Sequence, residues 1–185
     1  LEIKKGDLNS CKMAVLFTDI RGFTEISETC HSTEIFHFLN EYLEEMEAII
    51  KQYDGFIDKF IGDAIMALFF HPKNAITAAM KMQEKASKLQ FPNGQIVETG
   101  TGIHYGDLIL GTVGSHARLE TTVIGDTVNI ASRLEGLNKY YKTKILFSKI
   151  ELPGIESAFV CREIDRVRVK GKKLTLTVYE PLSIL

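Results

Sequence analysis

The stretch that decides the fold is Phe-Ile-Asp-Lys-Phe-Ile-Gly-Asp-Ala-Ile-Met-Ala-Leu-Phe-Phe, residues 56–70. Two apolar runs flank the Gly62-Asp63 pair, a pattern that predicts a β-hairpin. A second dense apolar run, residues 12–18, leads into Asp19 and predicts a buried central strand. Two carboxylates brought to one point would bind a hard divalent cation, which prefers oxygen ligands. Taken alone, Asp63 is more simply a turn residue, since Asp is common in turns.

Helical and strand patterns alternate around this hairpin. A helix capped by Ser32 or Thr33 is predicted to run to about residue 53, and a second begins at Pro72. The order strand, helix, strand, strand, helix, strand predicts an α+β fold with a ferredoxin-like βαββαβ core. Strands 97–104 and 108–112 are expected to join at a turn at Gly106-Asp107. The C-terminal elaboration comprises a helix at 127–137 and strands at 144–147, 160–164, 166–170 and 174–180.

The composition is that of one globular domain of 185 residues, 45% hydrophobic and 25% charged. A net charge of −2 gives no general attraction to nucleic acid or to anionic membranes. The cysteines Cys11, Cys30 and Cys161 are scattered, so neither a disulfide framework nor a zinc site is expected. A reducing compartment is expected instead. No apolar run approaches the roughly 20 residues of a membrane span.

A third informative stretch is Thr-Val-Ile-Gly-Asp-Thr-Val-Asn-Ile-Ala-Ser-Arg-Leu, residues 122–134. Asn129 and Arg133 are four residues apart on the predicted helix and therefore share a face. An amide and a guanidinium near a helix N-terminus suit an anionic ligand that carries a ribose. An ordinary exposed polar face explains the pattern equally well.

Five stretches, in this order, resemble the class III nucleotide cyclases, and among them the bacterial-type adenylate cyclase catalytic domain. They read Phe-Thr-Asp-Ile-Arg-Gly-Phe-Thr (17–24), Asp-Lys-Phe-Ile-Gly-Asp-Ala (58–64), Gly-Ile-His-Tyr-Gly (102–106), Gly-Thr-Val-Gly-Ser (111–115) and the 122–134 stretch. The resemblance covers nearly the whole chain. It implies the class III cyclase fold and the conversion of ATP to 3′,5′-cyclic AMP and pyrophosphate, by two-metal-assisted in-line attack of the ribose 3′-oxygen.

The resemblance also assigns metal-binding and catalytic roles. Asp19 and Asp63, with the backbone carbonyl of Ile20, would hold two divalent cations, Mg²⁺ or Mn²⁺. Asn129 would orient the ribose, and Arg133 would neutralise charge on the α-phosphate in the transition state.

The substrate-binding roles fall on four further residues. Lys59 and Thr122 would read the purine, while Lys170 and Arg118 would contact the terminal phosphates. A lysine ammonium only donates hydrogen bonds, so Lys59 suits N1 of adenine, an acceptor, and opposes the N1–H of guanine. Guanylate cyclases of this family place an acid at this position, so ATP is the expected substrate.

In this family the aspartates and the Lys/Thr/Asn/Arg set come from opposite subunits, which implies a homodimer with two shared active sites. Residues 1–185 are then one catalytic domain of a longer protein with an upstream regulatory domain, expected in the cytoplasm. Two alternatives stay open. One is a cyclase of relaxed or GTP specificity, and the other is a catalytically silent module that binds nucleotide and dimerises.

Overall fold

Strands β1 to β8 form one sheet with helices on both faces in the computed structural model, which describes residues 8–115, 118–168 and 175–185. The strands are β1 (Leu8–Ile20), β2 (Gly55–Ile61), β3 (Ala64–Phe69), β4 (Thr99–Ser115), β5 (Arg118–Ile124), β6 (Ile145–Ser148), β7 (Phe159–Arg168) and β8 (Thr175–Ile184). The helices are α1 (Phe23–Glu28), α2 (Ser32–Gln52), α3 (Pro72–Ala86) and α4 (Asp126–Tyr141).

The first four strands form the predicted ferredoxin-like core. Their order in the sheet is β2-β3-β1-β4, and each neighbouring pair is antiparallel. The hairpin over 56–70 appears as predicted, with β2 and β3 joined at Gly62-Asp63. Beyond β4 the sheet continues with β6, β8 and β7. β5 pairs with the C-terminal part of β4, from Ile109 to Ser115.

Side chains of the central strand alternate between two layers, as the period of a β-strand requires. Ala14 and Leu16 of β1 pack in the main core with α2 and α3. Met13 and Val15 pack on the opposite face, where they meet Ala131 of α4. The sheet is therefore covered on both sides, which explains why residues 13–17 are continuously apolar.

The predicted turn at Gly106-Asp107 is wrong, because β4 continues through it. β1 pairs with β4 along its whole length, and Met13 and Lys12 lie opposite these two residues. Gly106 has a packing role instead, since a Cβ atom there would lie 2.7 Å from Thr127 Oγ1. The glycine allows the start of α4 to approach the strand.

Smaller differences concern the ends of the elements. The residue preceding α2 is His31, and no side chain caps this helix, so the predicted cap at Ser32 or Thr33 is wrong. The predicted strands at 160–164 and 166–170 are one strand, β7, as far as the structure describes it. The short helix α1 was not predicted.

A Gly102→Ala substitution is expected to destabilise the domain. The new Cβ would lie 2.2 Å from the backbone nitrogen of Glu135 and 2.3 Å from the carbonyl oxygen of Ala131, so α4 would have to move away from β4. Overpacking of this kind costs about 1–3 kcal/mol, which lowers the Tm by about 2 °C or more in a domain of this size.

The matched control is Gly136→Ala on α4, where a Cβ atom would meet nothing within 4 Å. This change should raise stability by about 0.5–1 kcal/mol, because glycine disfavours helix. Thermal unfolding of both variants checks the pair, and an equal effect of the two would contradict the described packing of α4 on β4.

Candidate active site

Asp19 and Asp63 lie together where β1 ends beside the β2–β3 hairpin. β1 pairs with β3 up to Thr18 opposite Ile65, so the next residue of β1 reaches the hairpin turn. Gly62 in that turn has a φ of 61°, a conformation that glycine adopts without strain. The backbone N–H of Ile20 donates a hydrogen bond of 2.9 Å to Asp63 Oδ2 and thereby fixes the turn against the strand.

Burial and charge act together on this pair of acids. Burial raises the pKa of the half-buried Asp63 carboxyl, and the nearby charge of Asp19 raises it further. The hydrogen bond from the Ile20 N–H opposes both effects. Tyr42 of α2 is fully buried, and its hydroxyl has no hydrogen-bond partner among the described residues. Burial and the charges of the two aspartates raise its pKa.

Arg21 and Glu135 contact Asp19. Neither residue was predicted from the sequence to belong to the site. Arg21 Nη1 lies 3.3 Å from Asp19 Oδ1 and 2.8 Å from Glu135 Oε1. Arg21 Nη2 also donates to the backbone carbonyl of Glu135 at 3.1 Å. Burial, followed by the contact with Asp19, raises the pKa of Glu135 to about 7, although Arg21 and Lys139 act in the opposite direction.

The aspartates fit a hydrated divalent cation. The Asp19 side chain is 30% exposed although Arg21 Nη1 lies 3.3 Å from its Oδ1, so a cation can reach this carboxylate. Within those ranges no group of three or more His, Cys, Asp and Glu side chains has the geometry of a metal site. A cation here would therefore be held by two carboxylates and by backbone, water or substrate oxygens, which is how Mg²⁺ is usually bound.

The candidate purine-reading residues lie on β2 and β5. Lys59 is exposed, and its Nζ lies 3.5 Å from Oδ2 of the buried Asp58 side chain. The register of β2 against β3 shifts between Ile57 and Lys59, which identifies Asp58 as a bulge residue. Bulges re-aim side chains near functional sites. Thr122 is half-buried on β5, opposite Gly111 of β4.

Asn129 and Arg133 both lie on the predicted helix, α4, and both are exposed. Ile130 and Leu134 face the interior, where they pack against β6 and β8. Arg133 also lies at a cavity of about 350 Å³ between α4 and the β7–β8 hairpin. Among the described side chains, no hydrogen bond or ion pair joins Asn129 or Arg133 to Asp19 or Asp63.

The two candidate phosphate-contacting residues are less fully described. The backbone of Arg118 begins β5, opposite Ser115, but its side chain is not described. Lys170 lies outside the described residues.

The residues that sequence reasoning missed had only weak signals. Arg21 belongs to the 17–24 stretch, but its partner Glu135 is 114 positions away. Gly100 and Gly102 alternate on β4, a spacing that places both on one face. A Cβ at Gly100 would lie 1.7 Å from Arg21 Nη2, and one at Gly102 would meet α4. In the sequence, this pair of glycines was the one sign that Arg21 and helix α4 approach β4 closely.

A sequence model of the adenylate and guanylate cyclase catalytic domain matches residues 8–180 of the chain. The chain belongs to this family. The family and fold expected from the resemblance are thereby confirmed. No helix in the described ranges is long and apolar enough to cross a membrane.

Relatives of this cyclase domain carry both adenylate and guanylate cyclase names. An adenylate cyclase of Anabaena cylindrica is 42% identical over 96% of this chain and 38% of the relative. The crystal structure of the adenylyl cyclase CyaB from P. aeruginosa has a TM-score of 0.80 and 31% identity, with 96% of each chain covered. The guanylyl cyclase Cya2 has a TM-score of 0.82 and 28% identity over 98% of this chain and 95% of that one. The cyclase domain spans well under half the length of three curated relatives that it matches.

Asp63→Asn should separate metal binding from stability. At a pH at which Asp63 is ionised, its raised pKa means that the charge costs stability, so the neutral variant should be at least as stable as the wild type without metal. The wild type should gain about 2.7 kcal/mol from Mn²⁺ at 100 times its Kd, and Asp63→Asn should gain almost nothing. Thermal unfolding with and without Mn²⁺ measures both effects.

The control is Asp54→Asn, an exposed turn residue with a φ of 59°, a conformation that Asn also tolerates. This variant should keep the full Mn²⁺ gain. A normal gain in Asp63→Asn would exclude Asp63 as a ligand.

Proposed function

We propose that this domain is an adenylate cyclase that converts ATP to 3′,5′-cyclic AMP and pyrophosphate. The observation that carries the proposal is the junction of Asp19 and Asp63, two interacting carboxylates that meet where β1 ends beside the β2–β3 hairpin and that the Ile20 N–H ties together. Lys59 lies on the same hairpin as Asp63. Family membership supplies the reaction class.

The reaction is an in-line displacement at the α-phosphorus of ATP. A bond forms from the ribose 3′-oxygen to the α-phosphorus, the bond to the β-phosphate oxygen breaks, and pyrophosphate leaves. The hydroxyl proton passes to water or to a substrate phosphate. Divalent cations held by Asp19 and Asp63 would supply positive charge that lowers the pKa of the hydroxyl.

Two residues of α4 complete the proposed chemistry. Asn129 orients the ribose, and Arg133 donates to the α-phosphate oxygens, where negative charge develops in the transition state. A single well-aimed donor of this kind contributes about 2.7–4 kcal/mol. The exposure of both side chains leaves them available to a ligand.

The preference for ATP over GTP rests on Lys59. Its ammonium has one nearby acid, Asp58, and is otherwise exposed, so it can donate to N1 of adenine. Thr122 can accept from the adenine amino group. Names among the relatives do not decide the purine, because both adenylate and guanylate cyclases match the fold.

Lys59→Met should reduce the preference for ATP about 10- to 100-fold, because it removes a hydrogen bond from a charged group, worth about 1.5–3 kcal/mol. The measurement is the ratio of cyclic AMP to cyclic GMP from equal ATP and GTP, with Mn²⁺ and concentrated protein. Lys85→Met is the control, since Lys85 forms its ion pair with Glu45 on the surface of the α2–α3 layer.

Predominant cyclic GMP from the unchanged domain would overturn the choice of ATP. Nucleotide binding without any turnover would overturn the proposed enzyme activity and favour a silent module.

The active site is proposed to be shared between two subunits. Within one chain, Asn129 and Arg133 make no hydrogen bond or ion pair with the aspartates among the described side chains. In a homodimer, each site would combine Asp19 and Asp63 of one protomer with Asn129 and Arg133 of its partner.

Asp19→Ala and Asn129→Ala should each be nearly inactive alone, because each removes an essential group from both sites of the dimer. After a one-to-one mixture has exchanged subunits, half of the dimers are hybrids with one intact site, so about a quarter of wild-type activity should return. Mass spectrometry of the mixture under native conditions confirms that hybrids have formed. Formed hybrids without activity would exclude the shared site.

We also propose that residues 1–185 are the catalytic domain of a longer, regulated cytoplasmic protein. The greater length of the relatives supports a longer protein. The three unpaired cysteines agree with a reducing compartment such as the cytoplasm.

A further inference from the structure

Arg21 joins the metal-facing carboxylate of Asp19 to helix α4. Its guanidinium makes three contacts, of which two are to Glu135 and one is to Asp19. The side chains of Arg21 and Glu135 are only 16% and 10% exposed. Solvent therefore screens these charges much less than it screens a surface ion pair.

The surrounding backbone is shaped to hold this contact. Arg21 follows the last residue of β1, Glu135 lies in α4, and Gly100 of β4 forms the floor beneath the guanidinium. Any side chain at residue 100 would occupy the position of Arg21, and any side chain at Gly102 would displace α4. The two glycines thus leave the space in which Arg21 reaches Glu135.

Stability alone is a poor explanation for this network. Replacing a buried ion pair by apolar residues is often neutral or stabilising. Here the paired atoms Asp19 Oδ1, Arg21 Nη1 and Glu135 Oε1 are all buried, so the network keeps three charged groups away from water. A buried network of charges is weak evidence for a role in stability, so its place beside the active-site carboxylates calls for a functional explanation.

We propose that Glu135 and Arg21 are positioning residues for Asp19, through which helix α4 sets the orientation of a carboxylate in the active site. Glu135 holds the Arg21 guanidinium by its carboxylate and its backbone carbonyl, so that Arg21 meets only one oxygen of Asp19. Without the Glu135 carboxylate, Arg21 is free to pair with both oxygens of Asp19 and to compete with a cation.

The same helix would then serve two active sites, a step that rests on the shared-site arrangement proposed above. Arg133 and Glu135 are two residues apart and point in roughly opposite directions, since each residue turns an α-helix by about 100°. Glu135 faces Asp19 of its own chain, while Asn129 and Arg133 are exposed toward a partner. Helix α4 of one protomer would therefore contribute side chains to both sites.

The first test measures metal binding without turnover. Glu135→Gln keeps the size of the side chain and removes its charge, and we expect Mn²⁺ binding to the intact domain, followed by electron paramagnetic resonance without nucleotide, to weaken about 10- to 100-fold. Arg21→Lys keeps the positive charge but loses the forked guanidinium that reaches both acids. It should therefore also bind Mn²⁺ less tightly than the wild type. Glu98→Gln, beside Arg21 but without a contact to Asp19, is the control and should bind normally.

Unchanged Mn²⁺ affinity in a folded Glu135→Gln variant would overturn the proposal. Thermal unfolding establishes that the variant is folded, and Glu135→Asp, which keeps the charge, provides a second variant expected to bind more tightly than Glu135→Gln.

The second test places Glu135→Gln on one or the other chain of the hybrid dimer. In the hybrid of Asp19→Ala with Asn129→Ala, the intact site takes its Asp19 from the Asn129→Ala chain. Glu135→Gln added to that chain should lower the recovered activity at least 10-fold at low Mn²⁺. The same change on the Asp19→Ala chain should have no effect.

Two other patterns of activity loss would overturn the proposal. The reverse pattern would mean that Glu135 acts through Asn129 and Arg133 of α4, and equal losses would mean a general structural role. Failure of the unmodified hybrid to recover activity would instead refute the shared site, and the Mn²⁺ measurement would still decide the role of Glu135.

Discussion

Helix α4 lies directly against β4, and this close approach is the constraint on which the candidate active site depends. Gly102 provides the space for the helix backbone, and Gly100 provides the space for Arg21. Because the helix is so close, Glu135 can reach the arginine that follows β1. The position of α4 also determines where Asn129 and Arg133 emerge on the other side of the helix.

The electrostatics of the site follow from the same packing. Asp19, Asp63 and Glu135 lie near one another, with Arg21 as the one basic side chain that forms an ion pair with this group among the described residues. Burial and mutual repulsion raise the pKa values of Asp63 and Glu135. Such an arrangement costs stability in the absence of a cation and favours the binding of one, a trade between stability and function common at active sites.

The sequence patterns that predicted the fold correctly were local. The hairpin over 56–70 and the period of α2 depend on neighbours within a few residues, and both appear as expected. The turn at Gly106-Asp107 failed because a glycine that serves helix packing has the same local signature as a glycine in a turn. Only the pairing of β1 with β4, a long-range contact, distinguishes the two cases.

The candidate site divides along the same line. Asp19, Asp63 and Lys59 lie in short recognisable stretches, whereas the contacts of Arg21 with Glu135 require the tertiary fold.

Asp58 shows a further property that only the assembled sheet reveals. β2 is an edge strand, and open edges invite pairing with strands of other molecules. The bulge at Asp58 and the exposed charge of Lys59 interrupt that edge, so Lys59, which is proposed to select the purine, also helps to protect this edge from pairing with other molecules.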